Sequence, residues 1–191
     1  MKIDLTNKVA IVSGASKGIG KAIAKALAKA GCNVVLAARG KEYLLVTMKE
    51  IRDEGGSALA IPTDVTQLND IDNLVHQTIS QFGSIDILIN NAGGVSNFVP
   101  FEAISDQEWF DMFNLNLFST VKLTRAVIPH MQKQKWGRVI NISSESGIQP
   151  DALIPHYNAA KAAVSNFTKS LSKAYGQDGI LVNTISPAFI V

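Results

Sequence analysis

Three polar side chains in the second half of the sequence have the types and spacing needed to move a proton. Tyr157 and Lys161 are four residues apart, so a helix would place both on one face, one turn from each other. A tyrosine in water titrates near pH ~10, and a neighbouring cation lowers that pKa by favouring the phenolate. Ser144, thirteen residues before Tyr157, offers a hydroxyl that can donate a hydrogen bond to an oxygen that gains negative charge. These groups suit reduction of a carbonyl, or oxidation of an alcohol, provided that something supplies or accepts a hydride.

A glycine-rich turn near the amino terminus indicates the source of that hydride. The β-branched run 9–12 predicts a buried parallel strand, and a helical stretch follows at 21–30. Between them, the glycines of 14–20 let the backbone approach a pyrophosphate, and the helix N-terminus offers free N–H groups. The spacing is G-x-x-x-G-x-G rather than the common dinucleotide fingerprint, and Ala22 stands where a P-loop has Ser or Thr. A dinucleotide turn is therefore the prediction, and a P-loop is excluded.

Short motifs between residues 5 and 190 resemble those of the short-chain dehydrogenase/reductase family. Residues 13–20 match the family's T-G-x-x-x-G-x-G turn, with serine in the threonine position, and residues 90–93 match N-N-A-G. Asn116, the S…Y-x-x-x-K set and the dipeptide 186–187 match further motifs in the family's order, although Ala188 stands where glycine is usual. Within the family, the sequence is most similar to 3-oxoacyl-acyl-carrier-protein reductases and related ketoreductases.

This resemblance implies a reaction and a set of site residues. The reaction is hydride transfer between NADP(H) and a carbonyl or secondary alcohol, with a 3-oxoacyl thioester as one candidate substrate. By resemblance, Tyr157 is the general acid/base, Lys161 lowers its pKa and binds the nicotinamide ribose, and Ser144 orients the carbonyl. Asn116 marks a helix irregularity that supports a proton relay. The implied cofactor-binding residues are Gly14, Ser16, Lys17, Gly18, Ile19, Gly20, Arg39, Asp64, Val65, Asn91, Ala92, Gly93, Tyr157, Lys161 and Pro187.

The end of the second predicted strand favours NADP(H) over NAD(H). NAD-preferring relatives carry an acidic residue at the position of Ala38, where its carboxylate bonds the adenosine ribose. This chain instead has Arg39 next in sequence, and Lys17 in the glycine turn adds a second cation. The alternative is that both are ordinary surface charges.

Several of the named residues have simpler alternative interpretations. Asp64 follows the third predicted strand and could serve only to form a turn. Ser143 is the alternative to Ser144 as the active serine. His156 is expected to be a surface or substrate-loop residue, because neighbours on a helix point about 100° apart and it would not share the face of Tyr157. No spacing of histidine, cysteine or carboxylate predicts a metal site.

The chain alternates strand-like and helix-like segments, which predicts an α/β fold. Repeated βα units give a parallel sheet with helices on both faces, and ligands bind beyond the carboxyl ends of its strands. By resemblance this is a three-layer Rossmann fold with strand order 3-2-1-4-5-6. Residues 1–191 are expected to form one NAD(P)-binding domain that lacks the family's C-terminal lid and seventh strand. The predicted strands lie near 8–13, 33–38, 58–62, 85–90, 137–142 and 180–185, and the predicted helices near 18–30, 41–54, 67–82, 105–133 and 157–175.

Composition fits a compact enzyme and argues against other classes of protein. The chain has 191 residues, 47% hydrophobic and 18% charged, with a net charge of +2 and scattered lysines, so nucleic acid is not expected as a partner. No apolar run is long enough for a bilayer, so a cytoplasmic protein without membrane contact is expected. The single cysteine, Cys32, is expected in the core. By resemblance, the long helices should pair into a dimer or tetramer.

Two other functions compete with the oxidoreductase. The first is a catalytically silent, truncated dinucleotide-binding or scaffold protein, suggested by the early end of the chain. The second is an extended sugar-nucleotide epimerase, which shares Tyr-x-x-x-Lys but has a different glycine spacing from that of 14–20. Turnover of NADPH with a panel of ketones separates the first alternative from the predicted enzyme.

Overall fold

The computed structural model describes residues 3–95 and 97–188, in which six parallel strands form one sheet. The strands run in the order β3-β2-β1-β4-β5-β6, which confirms the predicted topology. Their bounds are β1 Val9–Ser13, β2 Asn33–Ala38, β3 Ser57–Pro62, β4 Ile87–Asn90, β5 Gly137–Ile142 and β6 Ile180–Ile185.

The central strands form because they are short β-branched and aliphatic runs that are covered on both faces. Every residue of β1 and β4 is buried. One hydrophobic cluster contains Ile11, Leu88 and Leu123, and another contains Val12, Leu36 and Ile89. Alternate residues of a strand point to opposite faces, so Ile11 and Val12 belong to different clusters. The sheet therefore requires a helical layer on each side.

The helices that supply these layers are α1 Gly18–Lys29, α2 Lys41–Asp53, α3 Leu68–Phe82, α4 Asp106–Phe113, α5 Ser119–Gln134 and α6 Pro155–Tyr175. Among the described residues, no helix has both the length and the apolar character needed to span a bilayer.

The single helix predicted over 105–133 is instead two α-helices joined by a π-helical turn. Ser105 caps α4 through a capping box with Glu108, the turn covers Asn114–Phe118, and α5 follows directly. Periodicity could not show this interruption, because one extra residue in a turn leaves the apolar pattern of each flank intact.

Strand order reverses between β1 and β4, and this reversal determines where a ligand can bind. β1 pairs with both β2 and β4 in parallel, so the connections on its two sides run in opposite directions along the sheet. In such sheets a crevice opens at the carboxyl edge between the two halves. Ser144, Tyr157 and Lys161, the residues predicted to be catalytic, lie at that edge.

Candidate active site

A cavity of about 750 Å³ opens at the carboxyl edge of the sheet. Every residue predicted to bind the cofactor or to take part in catalysis, except Asn116, lines this cavity. The structure therefore brings together residues that the sequence places at the ends of all six strands.

The glycine turn after β1 has no room for side chains, and Asn91 ties it to the end of β4. Gly14 has a φ of +66°, and a Cβ on Gly20 would collide with the Gly14 carbonyl and the Asn91 amide. The Asn91 Nδ2 donates to the carbonyl oxygens of Ser13 and Gly14 at 3.0 and 3.3 Å. In the described chain, no side chain caps α1, which begins at Gly18. Its first N–H groups and its dipole therefore suit an anionic group in the cavity.

Positive charge lines the cavity after β1 and β2. Arg39 and Lys17 are exposed and line the cavity, as does Asp64. Burial alone would raise the pKa of Asp64, but hydrogen bonds from the backbone and hydroxyl of Thr66, with Arg39 nearby, hold it below its ordinary value. Asp64 therefore forms the turn that its simpler interpretation predicts, and it also faces the cavity.

Tyr43 is a cavity-lining residue that the sequence did not predict. It lies in the first turn of α2 and lines the cavity, and its ring is close enough to contact a Cβ placed on Gly40 at 3.3 Å. The available signal was its place in the first turn of the helix predicted over 41–54, close in sequence to Arg39, which directly follows β2.

Asn116 is buried in the π-helical turn and holds the loop after β4. Its Oδ1 accepts from the Gly94 N–H at 2.9 Å, and its Nδ2 donates to the Gly94 and Met112 carbonyls at 3.0 and 3.1 Å. A Cβ on Gly93 would lie 2.6 Å from the Asn116 Oδ1 and 3.3 Å from the Lys161 Nζ. The helix irregularity predicted at Asn116 is therefore present. The Asn116 Oδ1 and the Lys161 Nζ both lie close to Gly93.

Lys161 is a buried cation at the floor of the cavity. It is 4% exposed, and its Nζ donates to the Ile142 carbonyl at 2.9 Å. Burial lowers the pKa of Lys161 to about 8. Its Nζ lies 5.6 Å from the centroid of the Tyr157 ring, so the two side chains share one face of α6 as the spacing predicts.

The direction of the Tyr157 pKa differs from the prediction. Burial raises the pKa of Tyr157 above its ordinary value, and the Ser144 hydroxyl acts in the opposite direction. The prediction that Lys161 would lower the pKa treated the pair as though it were in water. In the fold, desolvation of the phenol outweighs the hydrogen bond with Ser144, and the net direction is upward.

The structure distinguishes the two candidate serines. Ser144 is half-buried and lines the cavity beside Tyr157, and its Oγ accepts from the Ser146 N–H at 3.1 Å. Ser143 is buried, and its hydroxyl donates to the Lys161 carbonyl oxygen at 2.8 Å. Ser144 therefore has the hydroxyl that interacts with Tyr157, while that of Ser143 is bonded to α6.

The expectation that His156 lies at the surface or in a substrate loop is wrong. It is 3% exposed and packs against Trp109 of α4, with ring centroids 5.8 Å apart. Burial lowers the pKa of His156, and the nearby Glu108 acts in the opposite direction. The predicted burial of Cys32 is confirmed, and burial raises the pKa of its thiol to about 12.

Comparison with known proteins identifies the family. The family model for short chain dehydrogenases matches residues 8–191. The chain belongs to this family. A 3-oxoacyl-[acyl-carrier-protein] reductase of Synechocystis sp. is 39% identical over 187 residues, which cover 97% of this chain and 75% of that protein. Uncharacterized oxidoreductases of Staphylococcus aureus strains MRSA252 and USA300 are 37% and 38% identical, and each match covers 97% of this chain and 79% of the relative.

Membership of the short-chain dehydrogenase family places the chain among oxidoreductases that act on carbonyl or alcohol groups. Members use a nicotinamide dinucleotide, NAD(P)(H). The cavity fits such a group, because the Gly14–Gly20 turn leaves backbone atoms uncovered beside an uncapped helix N-terminus.

Proposed function

We propose that this chain is an NADP(H)-dependent oxidoreductase that interconverts a carbonyl group and a secondary alcohol. The observation that carries the proposal is the convergence of Ser144, Tyr157 and Lys161 on the same cavity as the glycine turn. The cofactor supplies or accepts the hydride when it is bound. The protein's own contribution is to hold the reacting groups and to move the proton.

Tyr157 is the proposed proton donor in the direction of reduction. Its raised pKa keeps the phenol protonated at neutral pH, so the Oη can give a proton to a carbonyl oxygen that becomes negative. The Ser144 hydroxyl donates a hydrogen bond to the same oxygen and orients the carbonyl. Lys161, with a pKa of about 8, remains largely protonated at pH 7 and stabilises the phenolate that forms.

The remaining site residues are proposed to bind the cofactor. The backbone of the glycine turn would hold the pyrophosphate, and Asn91, Ala92 and Gly93 would contact a ribose of the cofactor. Asp64, Val65 and Pro187 line other parts of the same cavity. Asn116, through the π-helical turn, is proposed to connect Lys161 to a proton relay.

The charge distribution supports a preference for NADP(H). Arg39, directly after β2, and Lys17, in the turn after β1, are both exposed and line the cavity, and Ala38 at the end of β2 offers no carboxylate. A guanidinium and an ammonium favour a 2′-phosphate, whereas a ribose 2′-hydroxyl usually bonds to an acid.

The proposed substrate is a 3-oxoacyl thioester, the class indicated by the name of the Synechocystis relative. Two loops, one after Gly94 and one after Ser144, are joined by a hydrogen bond from the Val99 N–H to the Leu153 carbonyl at 2.9 Å. Between them they carry exposed apolar side chains, including Phe98 and Ile148. The apolar chain of an acyl thioester would cover these side chains.

NADPH absorbance at a fixed pH, with short and long 3-oxoacyl thioesters and simple ketones as substrates, tests the proposal. Wild type should oxidise NADPH, and Tyr157→Phe should lose turnover while binding NADPH within a few fold of wild type. Tyr175→Phe, which removes a phenol from the other end of α6, is the matched control and should behave as wild type. Binding of NADPH without turnover on any substrate would favour the silent dinucleotide-binding protein.

We also propose that the chain forms one NAD(P)-binding domain, assembles as a homo-oligomer and works in the cytoplasm. Phe110 and Phe118 are exposed along the α4–α5 segment, which supports pairing through this face. Mass measurement by light scattering should give a dimer or tetramer, and cell fractionation tests the compartment. A monomer at micromolar concentration would contradict the assembly.

A further inference from the structure

Two consecutive residues at the end of β5 hold Lys161, one through its side chain and the other through its main-chain carbonyl. The Ile142 carbonyl accepts from the side-chain Nζ at 2.9 Å. The Ser143 hydroxyl donates to the Lys161 main-chain carbonyl at 2.8 Å. Ser143 and Lys161 are each 4% exposed, so water does not compete for these bonds. The strand therefore holds the ammonium and the helical turn that carries it.

Two further contacts keep this junction tight. The Ser165 hydroxyl, one turn along α6, donates to the Ser143 Oγ at 3.1 Å and also lies 3.3 Å from the Lys161 carbonyl oxygen. Ser143 therefore both accepts and donates. The turn that follows Ser144 packs directly on the helix, because a Cβ on Gly147 would lie 2.9 Å from the Lys161 carbonyl carbon. These contacts at Lys161 resist movement of α6 away from β5, together with the buried hydrogen bond from the Asn141 Nδ2 to the Thr168 Oγ1 at 2.8 Å.

We propose that Ser143 is a positioning residue, whose hydroxyl bond to the Lys161 carbonyl holds the ammonium in register with Tyr157 and Ser144. Ser143 borders the same cavity, but its hydroxyl is bonded to the Lys161 carbonyl of α6 and is not proposed to contact a reacting group. The effect of this bond on catalysis rests on the proposed function. Loss of the bond leaves the Lys161 ammonium on a less constrained turn, and small misplacements of a site group can reduce turnover strongly.

Kinetics of Ser143→Ala test this role, with Ser165→Ala as the matched control. Ser165→Ala also removes a hydroxyl from the network, including its longer 3.3 Å contact with the Lys161 carbonyl, but it leaves the 2.8 Å Ser143–Lys161 bond intact. Ser143→Ala should lower kcat about tenfold or more, with the KM for NADPH within about threefold, and Ser143→Thr should restore most of the loss. Ser165→Ala should stay within about threefold of wild type. Equal losses in Ser143→Ala and Ser165→Ala, or no loss in Ser143→Ala, would overturn the proposal.

A double variant separates positioning from general destabilisation. In a Lys161→Ala background, Ser143→Ala should cause no further loss of kcat, because the group that it positions is gone. An additional loss of the same size would show that Ser143 acts independently of Lys161. If Ser143→Ala does not fold, Ser143→Cys takes its place, since it keeps a similar volume but is a weak donor.

A readout that needs no turnover distinguishes failure of this proposal from failure of the proposed function. The ¹³Cε resonance of Lys161, followed by NMR through a pH titration, reports the environment of the ammonium. The pKa of Lys161 should rise from about 8 towards 10.5 in Ser143→Ala, because the loosened turn admits water. It should not move in Ser165→Ala. An unchanged midpoint in Ser143→Ala refutes the positioning role even if no carbonyl substrate is ever found.

Discussion

Lys161 is expected to cost the protein stability, and replacing it with methionine should make the fold more stable. The side chain is 4% exposed and carries its charge into a site where its only hydrogen-bond acceptor in the described chain is the Ile142 carbonyl. Methionine has a similar length and no charge. Lys161→Met therefore removes the desolvation penalty while it removes the proposed catalytic ammonium.

The magnitude follows from the pKa. A fall from 10.5 to about 8 means that holding the protonated lysine in the fold costs about 3 kcal/mol at pH 7. Loss of the hydrogen bond to Ile142 offsets this by about 1 kcal/mol, or more if the carbonyl stays unsatisfied. The net expectation is an increase of about 1–2 kcal/mol in the free energy of unfolding at pH 7.

The pH dependence provides the more specific signature. Between about pH 8 and 10.5 the unfolded chain still binds the Lys161 proton while the folded protein has released it. The free energy of unfolding of wild type therefore rises with pH through this range, and Lys161→Met lacks that rise. The stability advantage of the variant should shrink by about 2 kcal/mol between pH 7 and pH 10.

Urea unfolding at pH 7, 8, 9 and 10 measures both quantities. Lys169→Met, which removes an exposed lysine from the same helix, is the control and should show no comparable effect. A Lys161→Met variant that is less stable than wild type at pH 7 would refute the reasoning. A stability difference that stays constant from pH 7 to pH 10 would also refute it.

Three other substitutions test further parts of the site. Arg39→Ala should weaken NADPH binding about tenfold or more and leave NADH nearly unchanged in a fluorescence titration; equal losses would remove the basis for selectivity. Gly93→Ala should abolish turnover without unfolding the chain, because its methyl group would lie 2.6 Å from the Asn116 Oδ1; wild-type kcat would contradict this packing. Asn141→Ala should lower the free energy of unfolding by about 2–4 kcal/mol, because Asn90 and Thr168 lose a buried partner; a loss below about 1 kcal/mol would show that the network relaxes.

The position of the site could be predicted from the sequence because it depends on a rule about parallel strands. Once the alternation of strands and helices is recognised, the residue after each strand must lie at one edge of the sheet. Arg39 follows β2, Asp64 follows β3 and Ser144 follows β5, and all three line the same cavity. No knowledge of side-chain packing was needed for this result.

Features that depend on depth of burial could not be predicted in the same way. The direction of the Tyr157 pKa is set by how much of the phenol the fold covers, which a four-residue spacing does not contain. His156 is buried because Trp109, 47 positions earlier, packs on it across α4 and α6. The sequence presents Ser143 only as the alternative to Ser144 as the active serine. Its bond to Lys161 depends on how closely α6 approaches β5, which the sequence does not show.

The most direct test of the account is to follow the hydride itself. Wild type and Tyr157→Phe are each incubated with NADPH that carries deuterium at the transferable position of C4 and with an acetoacetyl thioester. Mass spectrometry then locates deuterium in the hydroxyacyl product. The account predicts one deuterium on the new carbinol carbon for wild type, and no product from Tyr157→Phe although that variant binds NADPH. Product without deuterium, or wild-type turnover by Tyr157→Phe, would contradict it.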